Sequence, residues 1–320
     1  MVAVGSKSGL LYIINFHGKA RIRYSLRGHD TEVVDLSWCP VETNVISKNT
    51  SKDCLLASGG RDRSVFIWRA GKDGRCETEI KLPTGPLDSS QHRSKLNASS
   101  GHWIALCWIE PKLLLTTCLW GELVSWDLSQ ISNSKPVYKL IHACHSRGLF
   151  CIANVPTNVE NVSSDWRKRN SLAVWSLAQD RQIIRCCIQD NNVQLEYQIP
   201  TLGGHVYCMS PCSLDTSRIA FGVADMTLNI WNLSEPHDNS FDITKFWQSI
   251  KGKVRAISWH PEKENLLAYG TGEGRVGVFD TNGKKPPILY KQYHRNTVYT
   301  LGWGPNPQSD QYALYSCGEG

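Results

Sequence analysis

CLLASGGRDRSVFIWR (Cys54–Arg69) decides the fold. An apolar run stops at RDR and a second run, SVFIW, returns, which reads as two short strands joined by a tight turn. VVDLSWCP (Val33–Pro40) lies upstream, apolar enough for a strand covered on both faces and ended by proline. Before it, GHD (Gly28–Asp30) turns the chain and RIRYSL (Arg21–Leu26) alternates like an outer strand. One unit is therefore read as four strands from Arg21 to Trp68.

The unit recurs. Its third-strand ending appears as VFIWR (Val65–Arg69), LVSWD (Leu123–Asp127), LAVWS (Leu172–Ser176), LNIWN (Leu228–Asn232) and VGVFD (Val276–Asp280). LYIIN (Leu11–Asn15) opens the chain with Ile14 in the aromatic slot. The slots at 14, 68, 126, 175, 231 and 279 lie 48 to 58 residues apart. The inner strand recurs as IALCWIEP (Ile104–Pro111), VRAISWHP (Val254–Pro261) and VYTLGWGP (Val298–Pro305). The second strand recurs as LLLTTC (Leu113–Cys118), RIAFGV (Arg218–Val223) and LLAYGTGEG (Leu266–Gly274). This period, with several short strands in each unit, predicts an all-β chain of β-propeller blades.

Three polar stretches interrupt the rhythm and read as exposed loops: Glu42–Asp53, Thr84–Gly101 and Ser163–Asn170. The third carries Arg167, Lys168 and Arg169, and reads first as a solvated turn. SEPHDNSFDITKF (Ser234–Phe246) is richer in polar and turn residues. It is the expected junction between a domain at 1–233 and another at 247–320. The chain opens on a half unit, and ALYSCGEG (Ala313–Gly320) supplies a second strand and a turn. The expectation is a piece of a longer array.

Lys and Arg total 35 against 29 Asp and Glu, a net charge of +6 that permits a nucleic-acid partner without demonstrating one. The twelve cysteines are scattered; the close pair Cys186-Cys187 lacks CxxC spacing, and Cys107, Cys151 and Cys208 sit in apolar runs. That usage suits a reducing compartment, and no zinc spacing appears. No signal peptide and no apolar run of about 18 residues point to secretion or a membrane. Neither GxSxG, a P-loop nor HExxH is present, so the expectation is a non-enzyme without a cofactor.

GH before the inner strand and WD after the third strand resemble the marks of the WD-repeat family. By that resemblance His29, Ser58, Asp62 and Trp68 form the structural tetrad of the second unit. The fourth unit ends in Trp175-Ser176, and the third has Trp120-Gly121 where the aspartate belongs. Longer stretches resemble the Gemin-five family, the snRNA-binding component of the SMN complex. They are LRGHDTEVVDLSWCP (Leu26–Pro40), GELVSWDLSQ (Gly121–Gln130), FDITKFWQSIKGKV (Phe241–Val254), KKPPILYKQYHRNTVYTLGWGP (Lys284–Pro305) and ALYSCGEG. The resemblance runs nearly end to end. It implies WD40 blades, the later ones of an incomplete first seven-bladed propeller and the start of a second. It also implies partners, namely pre-snRNA through its single-stranded U-rich Sm site and methylguanosine cap, and SMN complex proteins, in cytoplasm and nucleus.

Single-stranded RNA needs flat side chains for its bases and cations for its phosphates. Trp103 in GHWIALCW, Tyr207 in GGHVYCM and Tyr299 in NTVYTLGW each stand at the start of an inner strand, and Arg147 in CHSRGLF starts the fourth unit. Pattern admits two readings for each aromatic, packing against the next blade or facing a ligand at the rim of the propeller. Arg147 either bridges loops or binds. The resemblance assigns all four to RNA and cap contact. His205 falls where that family carries another contacting aromatic, and a histidine stacks less extensively. Lys251 and Lys253 either face phosphates or form a solvated pair. The function implied is an RNA-binding WD-repeat subunit in spliceosomal snRNP assembly. The alternative is a WD-repeat protein-interaction scaffold that never touches RNA, and fold alone does not choose.

Overall fold

The computed structural model describes residues 1–16, 19–40, 54–87, 103–129, 131, 135–154, 171–189, 192–201, 204–215, 217–232, 243–246, 250–283, 285–306, 308–309 and 311–319. It divides into two compact units, Met1–Ile152 with Ala178–Asp180, and Ala153–Leu177 with Arg181–Gly320. In the first unit β1 (Val2–Gly5), β2 (Leu10–Asn15) and β3 (Arg21–Arg27) form one sheet. β4 (Val33–Trp38), β5 (Leu55–Gly60), β6 (Ser64–Arg69) and β7 (Cys76–Lys81) form the second. β8 (Leu106–Glu110), β9 (Leu113–Thr117), β10 (Leu123–Asp127) and β11 (Val137–His142) form the third.

β12 (Leu149–Asn154), whose residues fall on both sides of the division, heads the fourth sheet. It is followed by β13 (Ser171–Ala178), β14 (Gln182–Gln189) and β15 (Asn192–Pro200). The second unit continues with β16 (Val206–Pro211), β17 (Arg218–Val223), β18 (Leu228–Asn232) and β19 (Ile243–Phe246) as the fifth sheet. The sixth holds β20 (Val254–Trp259), β21 (Leu266–Thr271), β22 (Val276–Asp280) and β23 (Ile288–Leu289), and β24 (Val298–Pro305) pairs with β25 (Tyr312–Gly318) in the seventh. Each sheet is a meander in chain order, and among the described residues there is no helix. These are the blades of a WD40-type β-propeller.

Two details differ from the sequence reading. RIRYSL does not belong to the unit it precedes: β3 pairs with β2, and β7 is the outer strand of the second sheet. Alternation marks an outer strand but does not name its partner. LAVWS is also displaced. It lies in β13, the second strand of its sheet, whereas VFIWR, LVSWD, LNIWN and VGVFD are all third strands. Counting from the turn aspartates, Asp180 stands to Cys186 as Asp62 stands to Trp68. Buried Cys186 on β14 therefore fills the third-strand slot. Trp175 mimicked it because it is equally buried and meets the edge of Trp231, with ring centres 6.0 Å apart. Of the three expected loops, 42–53 and 163–170 lie outside the described residues, as does most of 84–101. Of the expected junction, 243–246 form β19 and 234–242 lie outside them.

The first strands of successive sheets are stitched sideways. In the first unit the Leu106 amide donates to Asp35 Oδ2 at 2.6 Å and the Trp108 amide to Ser37 Oγ at 2.9 Å, tying β8 to β4. In the second unit the indole Nε1–H of Trp259 donates to the Ser210 carbonyl at 2.9 Å, and that of Trp303 to the Ser258 carbonyl at 3.1 Å. Apolar layers fill the gaps. Ile67, Ile80, Leu106, Trp108 and Val124 form one, and Leu228, Val254, Trp259, Leu267 and Phe279 another. Fully burying a side chain of this size contributes about 1.5–3 kcal/mol.

Some meanders are also pinned at one end. The Trp68 indole donates to Ser58 Oγ at 2.8 Å, and Ser58 lies 2.8 Å from His29 Nε2. Because the indole can only donate, the serine proton is left for Nε2, and Nδ1–H points to Asp62, 3.1 Å away. Burial raises the Asp62 carboxyl. The Ser64 hydroxyl and amide, His29 and the Asp30 amide outweigh it and hold the group below the usual carboxylate range. The third sheet keeps half of this set, with the Trp126 indole on Thr116 Oγ1 at 2.9 Å.

Two outcomes are expected. Ser58→Ala strands both the Trp68 indole and His29 Nε2, and destabilises the chain by about 1–3 kcal/mol in urea unfolding. Asp35 behaves in the opposite sense to Asp62. Burial between β4 and β8 raises it from 3.8 to about 7, against the pull of the Leu106 and Leu36 amides. The folded state then holds this proton more tightly than the unfolded chain, so the contribution of Asp35 declines as pH rises from about 4 to about 7. Asp35→Asn keeps an acceptor without the charge. Its urea midpoint gains on the wild type between about pH 5 and about pH 8; parallel curves at the two pH values count against the assignment.

Candidate nucleic-acid interface

One irregularity recurs at the start of the inner strands. Register jumps between Val33 and Asp35, Val206 and Cys208, Val254 and Ala256, and Val298 and Thr300. In each, one extra residue lies opposite no partner, and a bulge of this kind bends the strand and re-aims the side chain it carries. The four extra residues are Val34, Tyr207, Arg255 and Tyr299.

In the second unit three consecutive sheets thus present Tyr207, Arg255 and Tyr299 from equivalent positions. Tyr299 is 50 % exposed, and its hydroxyl reaches no nearer than 3.5 Å to Glu319. Tyr207 is half-buried, and the Arg255 guanidinium carbon lies 3.8 Å from its ring centre. Arg255 Nε is buried and, among the described residues, has no hydrogen-bond partner. His205 is exposed just ahead of β16, and its carbonyl takes the Ala224 amide at 2.8 Å. Lys251 and Lys253 are exposed ahead of β20, flanking Gly252, and the Glu273 carboxylate fills the place a Cβ on Gly252 would take.

In the first unit Trp103 precedes buried Ile104 and Ala105 and is itself 43 % exposed. Ile104 packs over Gly59, which anchors this stretch to the second sheet. Arg147 is exposed on the turn between β11 and β12. That turn is held from below. Buried His145 places Nδ1 3.1 Å from Asp180, and the Ser146 amide donates to the same carboxylate at 2.9 Å. Gly121, at φ +82°, closes it from the side: a Cβ there would come 2.4 Å from the His145 carbonyl oxygen and 2.6 Å from that of Arg147. The Arg147 backbone is therefore fixed while its side chain stands in solvent.

The sequence reading singled out Trp103, Arg147, Tyr207, Tyr299 and His205. Trp103 and Arg147 belong to the first unit and the other three to the second. It missed Arg255, although VRAISWHP set under VYTLGWGP puts Arg255 in the column of Tyr299. It also missed two further pinning histidines. His145 and His294 each precede an inner strand by the same spacing as His29, and His294 Nε2 lies 2.8 Å from Ser316 Oγ.

Residues 20–69 match the family described as WD domain, G-beta repeat, and residues 213–320 match RIG second beta-propeller. The chain is similar to Gem-associated protein 5 of Homo sapiens, 33 % identical over 99 % of the chain and 22 % of that protein. The Mus musculus protein of the same name is 32 % identical over the same shares. Component of gems protein 5 of Dictyostelium discoideum is 24 % identical over 96 % of the chain and 27 % of its own length. The chain thus spans about a quarter of the length of these relatives.

Gly121→Ala is expected to be costly beyond its size, because both the positive φ and the two carbonyls oppose a methyl group. A loss of about 1–3 kcal/mol in thermal or urea unfolding is the predicted result. A neutral alanine would mean that the turn carrying Arg147 is free to shift.

Proposed function

We propose that the chain is the RNA-holding part of a WD-repeat subunit of the SMN complex. It recognises the Sm site and methylguanosine cap of pre-snRNA for spliceosomal snRNP assembly. The observation that carries this reading is the recurrence of ring-bearing or cationic side chains, Tyr207, Arg255 and Tyr299, at equivalent bulged positions of three consecutive sheets. Likeness to Gem-associated protein 5 over 99 % of the chain supports the same reading.

The mechanism is stacking plus charge. Tyr207, Tyr299 and Trp103 offer π-faces to unpaired uracils or to the methylated guanine of the cap, whose positive charge adds a cation–π attraction of about 0.5–2 kcal/mol. Arg147 pairs with a phosphate or a base edge. Lys251 and Lys253 add diffuse attraction for the backbone. His205 contributes a smaller stacking surface. Recognition needs no bond-breaking chemistry, and the proposed role is non-enzymatic.

Titration of the whole chain with a short U-rich single-stranded RNA tests the proposal. Trp103→Ala and Tyr299→Ala should each weaken binding by about 1–3 kcal/mol. A cap analogue should compete with capped RNA. Unchanged RNA affinity in both variants would leave a protein-interaction scaffold as the better description.

A further inference from the structure

Arg255 is the residue of the bulged row that no stacking role explains. It stands on β20 between the sheets that carry Tyr207 and Tyr299, because β20 packs beside both β16 and β24. Its guanidinium lies over the Tyr207 ring at 3.8 Å, and its Nε has no partner among the described residues. Nε is a buried atom, so the terminal N–H groups of the guanidinium, which a ring face leaves free in its plane, are the ones that match the oxygens of a phosphate. Lys251 and Lys253 lie just upstream and the carboxylates of Glu273 and Glu319 offset them, so the one net positive charge in this group of five is that of Arg255.

We infer that Arg255 is a phosphate-binding residue for single-stranded RNA, held ready on Tyr207 and pairing with the backbone between the nucleotides that the two tyrosines receive. The inference rests on the proposed RNA-binding function. It adds a positional claim: the row is ring, cation, ring, so that alternate contacts along the strand go to bases and to the backbone between them. In the free chain the tyrosine ring satisfies the cation, which keeps the arginine extended and ordered. The RNA then meets a pre-aimed guanidinium instead of a mobile one.

The experiment is a salt series on the whole chain with a U-rich single-stranded RNA, from about 50 to about 200 mM. Wild type, Arg255→Gln, Arg255→Lys and Tyr299→Ala are compared, with thermal midpoints recorded for each. Arg255→Gln should bind about tenfold more weakly at low salt. It should also lose about 0.7 from the slope of log K against log salt, the share of one phosphate contact on a single strand. Arg255→Lys should keep the slope, because charge is retained, while losing part of the affinity that depends on the planar fork. Four results overturn the proposal. One is a glutamine variant with wild-type affinity and slope while Tyr299→Ala still weakens binding, which would reduce Arg255 to packing and leave the RNA-binding function standing. Another is tighter binding on Arg255→Gln, which would make the arginine an obstacle on Tyr207. A third is a lysine variant whose slope falls as far as that of glutamine. The last is wild-type protein that binds no RNA at any salt, which removes the functional reading and this inference together.

Discussion

A single unpaired residue near the head of an inner strand is the constraint on which this molecule turns. Inner strands sit between neighbours, where a regular ladder would aim every second side chain into an apolar layer. The inserted residue breaks that parity. Val33 and Val254 remain in the ladder and pack, while the next residue in each strand is released from it. Val34 uses the release for packing against the first-unit core, whereas the other three place a ring or a cation there: Tyr207, Arg255 and Tyr299. The scaffold therefore has a position at which side-chain identity can change with little effect on pairing.

What allows that freedom is redundancy in how the sheets are held. The second sheet relies on a hydrogen-bonded His, Ser, Trp and Asp set; the third manages with Trp126 on Thr116. The sixth has Tyr269 and Phe279 at the corresponding places and replaces polar contacts with rings 5.2 Å apart. Burial pushes the Tyr269 hydroxyl up to about 12, so it stays neutral among those rings. Hydrogen bonds in one blade and aromatic packing in another serve the same end, which is to keep the strand heads in line.

The repeat class was legible because it rests on local patterns. Apolar runs, a tight turn at Arg61–Arg63 and aromatic slots about fifty residues apart are properties of adjacent residues. Partnership between strands is not. Nothing in RIRYSL distinguishes pairing with the strand before it from pairing with the strand after it, and LAVWS passed for a third strand because buried tryptophans look alike in either place. Trp103, Tyr207 and Tyr299 could be picked out by their position ahead of an inner-strand core. Arg255 was harder to see, since a cation inside a strand motif suggests a solvated face until coordinates place it on a ring. The pinning role of His145 was hidden for a related reason: Asp180, its partner, is 35 residues away.

The sideways bonds between inner strands, Leu106 to Asp35, Trp259 to Ser210 and Trp303 to Ser258, join each sheet only to the one beside it. Within each compact unit, cohesion is then a sum of nearest-neighbour couplings, as in a linear array of modules. Such an array has no central nucleus whose loss dissolves everything at once. Amide exchange should spread outward from whichever sheet opens first, with protection lost blade by blade.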